Sequence, residues 1–201
     1  MGKGELTRQA ILEHAVSLAT KLGLEGLTIG RLADEGDHLL GTAGAIRRAA
    51  SSLAPDFLVT YGDSYLPFDY AAPLQLLRER PDADGVMAVF RNEEQWDVSN
   101  TDVRTDEQGE LWVDRYQKGA GDPLQYIDYG AIALRRDVIL AVPEGRPWGL
   151  DRVQAELAGR RRLRAHQARA RFFEVGSDAG LLELDRELKA SPQGPHTKAK
   201  T

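Results

Sequence analysis

Short apolar runs that predict buried β-strands alternate with helical patterns along most of the chain after residue 40. Turn residues, mainly Gly, Pro and Asp, separate these segments. We predict strands at residues 57–60, 86–90, 111–118 and 131–134, and helices between Pro67 and Pro81, at 137–140 and at 151–157. Strands interleaved with helices are typical of α/β folds, in which helices cover the faces of a sheet.

The start of the chain has a different pattern, which predicts two amphipathic helices. Apolar residues recur at helical spacing from Ile11 to Leu22, behind Thr7 as the N-cap. Gly23 closes this helix, and a second, shorter helical pattern follows it. We therefore expect a helical hairpin ahead of the α/β region.

This hairpin, at residues 7–34, resembles the first two helices of the tetracycline-repressor-type DNA-binding domain. That family reads the major groove with a third helix, and the sequence after Gly36 has no such continuation. The segment also carries more acidic than basic residues. The pattern therefore argues against sequence-specific DNA binding and favours a hairpin that packs on another part of a protein.

Composition is that of a globular protein, and 201 residues suffice for one ordinary domain. The absence of cysteine excludes disulfides, thiolate catalysis and cysteine zinc sites. We find no signal-peptide pattern and no apolar run that could cross a bilayer, so we expect a cytoplasmic protein without membrane partners. The net charge of −5 argues against general nucleic-acid binding. We predict that the arginines between residues 160 and 171 form a solvated face.

Asp63 is the first candidate site residue, because it stands where a predicted strand ends. Residues 57–60 form that strand, and Gly62 and Asp63 follow closely. Ligands of open α/β sheets bind at the carboxyl ends of strands, and a carboxylate there suits a divalent ion held against phosphate oxygens. An aspartate after a strand is also an ordinary turn residue, and the local pattern leaves both roles open.

Several motifs, in order, resemble those of the sugar-phosphate nucleotidyltransferases. They are residues 41–45 (GTAGA), 61–64 (YGDS), 91–100 (RNEEQWDVSN), 126–130 (YIDYG) and 171–177 (RFFEVGS). The resemblance covers residues 37 to 188. It implies a Rossmann-like α/β/α core of three layers with a mixed sheet. It also implies an enzyme that joins a nucleoside triphosphate to a sugar 1-phosphate and releases pyrophosphate.

The same resemblance assigns roles to individual residues. Asp63 and Glu174 correspond to the two carboxylates that hold Mg²⁺. Lys118 corresponds to the lysine that meets the sugar phosphate, and it forms the catalytic set with Asp63. The family residues that contact the nucleotide base correspond to Gly41, Thr42 and Gly44. Those that contact the sugar correspond to Asn100, Asp128 and Gly130.

The residues themselves also allow plainer roles. Thr42 is a possible helix cap, Asn100 a possible strand cap, and Lys118 a solvent-facing residue at a strand end. The chain departs from the family at two positions. Most members have Glu where this chain has Gln117, and many have Asn where it has Asp128, so we expect a different sugar selectivity.

Family members open with a glycine-rich, cation-bearing loop that binds the triphosphate, and no G-x-G-x-R run precedes Gly41. We therefore predict a helical segment at 1–36, a truncated nucleotidyltransferase domain at 37–189 and a disordered tail at 190–201. Its function is either nucleotidyl transfer, impaired by loss of the loop, or sugar-phosphate binding without turnover. A DNA-binding regulator is the third alternative. A truncated sheet would expose an edge, so a homo-oligomer is among the expected assemblies.

Overall fold

The computed structural model describes residues 40–95, 97–117 and 124–190. The predicted helices at 7–34, the domain boundary near residue 36, Lys118 and residues 191–201 of the predicted tail lie outside these ranges. Within them, no helix is both long enough and apolar enough to span a bilayer.

Helices and strands are interleaved along the described chain, as the apolar pattern predicts. The helices are α1 (Gly41–Arg48), α2 (Ala71–Glu79), α3 (Arg136–Leu140), α4 (Leu150–Gly159) and α5 (Asp178–Ala190). The strands are β1 (Asp56–Thr60), β2 (Ser64–Tyr65), β3 (Gly85–Arg91), β4 (Thr101–Thr105), β5 (Leu111–Tyr116), β6 (Tyr126–Arg135), β7 (Leu163–Gln167) and β8 (Phe173–Glu174).

Six of these strands form one mixed sheet in the order β1-β6-β3-β7-β5-β4. β3 and β7 pair in parallel, whereas the other pairs are antiparallel. β4 also pairs with β6 at Thr101 and Tyr126, so the pairing returns to β6. The two remaining strands, β2 and β8, form a separate antiparallel pair.

Residues of β6 alternate between the two covered faces of the sheet. Ile132 and Leu134 pack into a core with residues of α1, α3 and α4, among them Ile46 and Val153. Ala133 faces the other side, where Leu77 of α2 covers it. Because both faces are covered, β6 is apolar at nearly every position rather than at every second one. The arrangement is the predicted three-layer α/β fold.

The prediction of a solvated arginine face is wrong for Arg164. This residue is 4% exposed, and its guanidinium lies 4.1 Å from the centre of the Trp112 ring. Asp82 and Glu110 form ion pairs with it at 2.7 and 3.3 Å. The two carboxylates offset the free-energy cost of burying the cation. A run of arginines in the sequence does not show which of them has such partners.

The last helix, α5, packs only part of its length against the protein. Ser177 Oγ accepts a hydrogen bond from the Gly180 N–H over 3.2 Å, which is the N-cap geometry. Leu184 is buried, but Leu188 is 40% exposed, so the packed face of α5 stops before the end of the helix.

Candidate functional site

The candidate site lies where β6 changes its neighbour on one side. Its first residue, Tyr126, pairs with Thr101 of β4, whereas Ala131 pairs with Thr60 of β1. The segment between these two pairings is therefore flanked by the end of one strand and the start of another. Such changes of neighbour leave a crevice at the sheet edge, where ligands of α/β proteins commonly bind.

An irregularity on the other side of β6 shapes the same segment. β3 pairs Met87 with Ile132 but Val89 with Asp128, so β6 advances four residues while β3 advances two. Gly130 lies within this bulge at φ +88°. A Cβ at Gly130 would lie 3.3 Å from Cδ2 of Tyr61. Glycine therefore serves both the backbone conformation and the close approach of the Tyr61 ring.

A cavity of about 380 Å³ opens at this place. Four of the predicted site residues, Asp63, Asn100, Asp128 and Gly130, line it. The other lining residues are Tyr61, Ser64, Asp97, Val98, Ile127, Tyr129 and Phe172. The fold thus brings together residues predicted from three separate stretches of sequence, in a space of the size that holds small ligands.

Asp128 forms the buried floor of the cavity. Its Oδ2 accepts hydrogen bonds from Tyr61 Oη at 2.9 Å, Gln154 Nε2 at 2.8 Å and Tyr116 Oη at 3.5 Å. Its Oδ1 accepts one from the Gly130 N–H at 3.0 Å. Burial raises the pKa of Asp128, and these hydrogen bonds act in the opposite direction.

The two tyrosines of this network respond to the same environment. Burial is the main cause that raises the pKa of Tyr61, followed by the negative charge of Asp128. The pKa of Tyr116 is raised for the same two reasons, in the same order. Both hydroxyls therefore stay protonated at neutral pH and remain available as donors to the carboxylate.

Asn100 presents its amide nitrogen as the free end of its side chain. Its Oδ1 accepts from the Asp128 backbone N–H at 2.8 Å and from Thr101 Oγ1 at 2.9 Å. These two donors fix the orientation of the amide. Among the described residues Nδ2 has no recorded hydrogen-bond partner, so it is available as a donor to a ligand.

Asp63 lines the cavity, and Glu174 lies near Asp63 without being one of the lining residues. Ser64 pairs with Glu174 across β2 and β8, and the Val175 N–H donates to the Asp63 carbonyl at 2.7 Å. A Cβ at Gly176 would lie 3.3 Å from Glu174 Oε1 and 3.5 Å from Asp63 Cβ, so both side chains border one small space. Both residues are exposed.

This pair is chemically suited to Mg²⁺, which commonly binds proteins through one or two carboxylates and completes its shell with water and substrate phosphates. Within the described ranges, no group of three or more His, Cys, Asp or Glu residues is placed to hold a metal ion. The two carboxylates would therefore share the ion with oxygens from outside the protein.

The predicted nucleotide-contacting residues do not line this cavity. The first turn of α1 instead contacts the loop before α4: the N–H groups of Ala43 and Gly44 donate to the Trp148 carbonyl at 2.9 and 3.1 Å. A Cβ at Gly41, which has φ +70°, would lie 2.7 Å from the same carbonyl oxygen. Thr42 does not cap its own helix; its Oγ1 accepts from the Leu150 N–H at 2.7 Å.

Sequence reasoning missed Gln154 and gave Tyr116 no role in the site. One signal for Gln154 was present in the sequence. Apolar Leu150, Val153 and Leu157 mark the inward face of α4, and Gln154 is a polar residue on that face. A polar side chain at a core position requires a buried partner, here Asp128.

Neither a protein-family model nor a curated protein sequence matches this chain. Solved structures do match its fold. HddC from Yersinia pseudotuberculosis matches with a TM-score of 0.55 and 18% identity, over 76% of this chain and 64% of that one. A UTP-bound UGPase from Acinetobacter baumannii matches with a TM-score of 0.59 and 18% identity, over 79% and 60%. The inositol-1-phosphate CTP transferase from T. maritima matches with 0.56 and 18%, over 75% and 62%.

The matched part therefore corresponds to between 60% and 64% of the length of these three structures. At such low identity the comparison concerns the fold. The described part of the chain has the mixed-sheet, Rossmann-like α/β fold of the sugar-phosphate nucleotidyltransferases.

Proposed function

We propose that this protein transfers a nucleotidyl group from a nucleoside triphosphate to a sugar 1-phosphate, with release of pyrophosphate. One observation carries the proposal: Asp63, Asn100, Asp128 and Gly130, predicted for this function from separate stretches of sequence, line one cavity. The fold shared with a UTP-bound UGPase and with HddC supports it.

Each side of the cavity has a chemical task in this proposal. Asn100 Nδ2 donates to, and Asp128 Oδ1 accepts from, the hydroxyls of the sugar. Asp63 and Glu174 hold Mg²⁺, which when bound supplies positive charge to phosphate oxygens. Lys118, outside the described residues, is proposed to contact the sugar phosphate as a point charge.

The proposed step is a substitution at phosphorus. An oxygen of the sugar phosphate attacks the α-phosphorus of the triphosphate, the bond from that phosphorus to the bridging oxygen breaks, and pyrophosphate leaves with the electron pair. The protein residues act by holding the two anionic substrates in line and by compensating their charge.

A second candidate is binding of a sugar phosphate without turnover. The charges around the cavity favour it. Asp63, Asp97 and Asp128 line the cavity, and no Lys, Arg or His is among the described lining residues. A site of this kind would retain sugar recognition and lack stabilisation of the leaving pyrophosphate.

The deciding experiment measures Mg²⁺-dependent pyrophosphate release from a panel of nucleoside triphosphates and sugar 1-phosphates, using the full chain. Asp63→Ala is compared with Asp185→Ala, which removes an exposed carboxylate of α5. Turnover by the wild type and by Asp185→Ala, but not by Asp63→Ala, is the expected result. If folded wild-type protein binds a sugar phosphate in calorimetry but releases no pyrophosphate, the second candidate holds instead.

A further inference from the structure

The first turn of α5 packs directly on the backbone of Glu174. A Cβ at Gly180 would overlap the Glu174 carbonyl oxygen and would lie 2.9 Å from its carbonyl carbon. Such an overlap with backbone atoms cannot be relieved by rotating a side chain, so only glycine allows the helix to approach this closely. Gly180 is itself buried. The closest approach of α5 therefore falls on the residue that carries one of the two candidate metal ligands.

A single hydroxyl connects the start of α5 to the Glu174 carboxylate. Ser177 Oγ accepts the Gly180 N–H at 3.2 Å as the N-cap of the helix. The same oxygen lies 3.4 Å from Glu174 Oε2 and donates its proton towards it. A hydroxyl has one proton to donate and two lone pairs that accept, so it can serve both partners at once. The orientation of the Glu174 side chain is thereby related to the position of the helix.

A third contact joins α5 to the residues that lead into β8. Arg171 forms an ion pair with Glu183 of α5 at 2.9 Å, and its guanidinium lies 4.9 Å from the centre of the Phe173 ring. The ion pair is partly exposed, so its own contribution to stability is small. However, Glu183 lies three residues after Gly180 and therefore on the same side of the helix. α5 thus contacts the chain on both sides of Phe173.

The rest of α5 adds little to this attachment. Leu184 is buried, whereas Leu182 and Leu188 are 59% and 40% exposed. The helix has 13 residues, a length at which an isolated helix is only marginally stable in water. Its stability must therefore come from docking, by which we mean packing of its first turns on residues 171–177. We expect the docked helix to be in equilibrium with an undocked state.

We propose that α5 is a positioning element of the metal site, and that its docking through Gly180 and Ser177 holds the Glu174 carboxylate near Asp63. Mg²⁺ binding and α5 docking then strengthen each other, because such a coupling acts by the same factor in both directions. The inference rests on the proposed function for the identity of the ion. It adds a helix of which no described residue lines the cavity, and which nevertheless determines the affinity for the ion.

The first test adds a methyl group to each of two helical glycines. Gly180→Ala forces α5 away from the Glu174 carbonyl, whereas Gly159→Ala, at the end of α4, places its Cβ in open space. Mn²⁺ binding to the full chain is measured by electron paramagnetic resonance, and urea unfolding is followed on the same samples. Gly180→Ala should weaken Mn²⁺ binding about tenfold, as loss of a group that orients a metal ligand commonly does. Gly159→Ala should leave the affinity unchanged.

Ser177 provides milder variants, which keep the test valid if Gly180→Ala does not fold. Ser177→Ala removes the hydroxyl that serves both the helix and Glu174, and it should weaken Mn²⁺ binding about fivefold. Ser177→Thr keeps a hydroxyl and is an accepted N-cap, so it should retain most of the affinity. Glu187→Gln, at an exposed position of α5, is the control for a change elsewhere on the helix.

The reverse effect is measured without changing the helix. Hydrogen exchange of the α5 amides, followed by mass spectrometry, reports how often the helix opens. If only the docked state binds the ion, Mg²⁺ at ten times its dissociation constant should slow this exchange by up to about tenfold. Asp63→Asn removes a proposed metal ligand and leaves α5 unchanged, so in this variant the same Mg²⁺ concentration should slow the exchange much less.

The outcomes separate this inference from the function on which it rests. If Ser177→Ala and folded Gly180→Ala lower the free energy of unfolding but bind Mn²⁺ with wild-type affinity, α5 has only a structural role and the inference is wrong. The inference is also wrong if Mg²⁺ binds without slowing exchange in α5. Coupled binding and docking in a protein that releases no pyrophosphate would support the inference and contradict nucleotidyl transfer. Wild-type protein that binds no Mn²⁺ would overturn both.

Discussion

The backbone carbonyl of Asp63 accepts a hydrogen bond from the Val175 N–H over 2.7 Å. This contact continues the pairing of Ser64 with Glu174 and connects the turn after β1 to the strand that ends at Glu174. The backbones of two acidic residues that are more than a hundred positions apart in sequence are therefore held next to each other by hydrogen bonds.

Asp63→Asn and Glu174→Gln are each expected to weaken Mn²⁺ binding at least about tenfold, because each removes a charge from a site that has two. Neither changes the size of the side chain, so the fold should be retained. Mn²⁺ binding is measured by electron paramagnetic resonance, which does not require turnover. Glu187→Gln, an exposed position on α5, serves as the control. Unchanged Mn²⁺ affinity in both site variants would contradict the assignment of the metal site.

Gly130→Ala should destabilise the protein and reduce sugar-phosphate binding together. The left-handed φ of +88° costs an alanine about 1–2 kcal/mol, and its Cβ would press on the Tyr61 ring that reaches Asp128. Substitutions at two other glycines serve as controls that separate the effect of the backbone conformation from that of the Tyr61 contact. Gly109 has φ +81° and open space around it, and Gly62 has open space and no left-handed φ. Urea unfolding and calorimetry would give the free energy of unfolding and the affinity.

Only Gly130→Ala is expected to affect both quantities. Gly109→Ala should lower stability by a similar backbone contribution and leave affinity unchanged, whereas Gly62→Ala should change neither. An equal loss of affinity in Gly109→Ala would show that the Tyr61 contact is not what connects Gly130 to the site.

The elements β1, β3, β5, β6, α2, α3 and α4 were predictable because their apolar residues follow the two periods of secondary structure. The strands β4 and β7 were not predicted. β1, β3 and α2 lie within one to four residues of the expected positions. Gly130 and Asn100 were found as site candidates through a family motif, and the cavity brings them together. Their individual roles remain predictions.

Other features depend on contacts between distant residues, which no local pattern contains. The crevice exists because β6 passes from β4 to β1, and a pattern of apolar residues does not specify that change. The partner of Gln154 lies 26 positions away on another element. The run of arginines at 160–171 likewise gave no sign that Arg164 is buried and forms ion pairs with Asp82 and Glu110.

Arg135→Met should destabilise the protein by about 2–3 kcal/mol, although the residue is far from any proposed chemistry. Its guanidinium donates to the carbonyls of Ala83, Leu77 and Arg80 at 2.9, 3.0 and 3.1 Å. These carbonyls lie at the end of α2 and in the loop before β3. The Arg135 side chain therefore joins the segment between α2 and β3 to the end of β6. Methionine keeps the apolar stem and leaves the carbonyls without this donor.

Two further variants test this explanation of Arg135. Arg135→Lys should recover only part of the stability, because an ammonium does not reproduce the planar fork of donors. Arg160→Met, at an exposed position, should have no comparable effect. If lysine restored the full free energy of unfolding, charge rather than donor geometry would be the stabilising feature.

Lowering the pH should destabilise the protein partly because protonation of Asp84 removes its ion pair with Arg162. Nε and Nη2 of Arg162 each donate to a different oxygen of Asp84 at 2.8 Å, and these hydrogen bonds are the main cause that lowers the pKa of Asp84. Because the folded-state pKa lies below that of the unfolded chain, the unfolded state binds more protons as the pH falls. The contribution is therefore present above the ordinary aspartate pKa and is lost as the pH falls through the folded-state value.

Asp84→Asn should lower the free energy of unfolding by about 0.5–1 kcal/mol at neutral pH, a small value because both side chains are partly exposed. The difference from wild type should shrink as the pH is lowered through the folded-state pKa of Asp84, below which the wild-type carboxylate is protonated as well. Urea unfolding across this range measures it, with Asp185→Asn as the control for loss of an exposed carboxylate. A difference that stayed constant with pH would mean that Asp84 stabilises the fold through its shape and backbone contacts, and that its charge has no part in it.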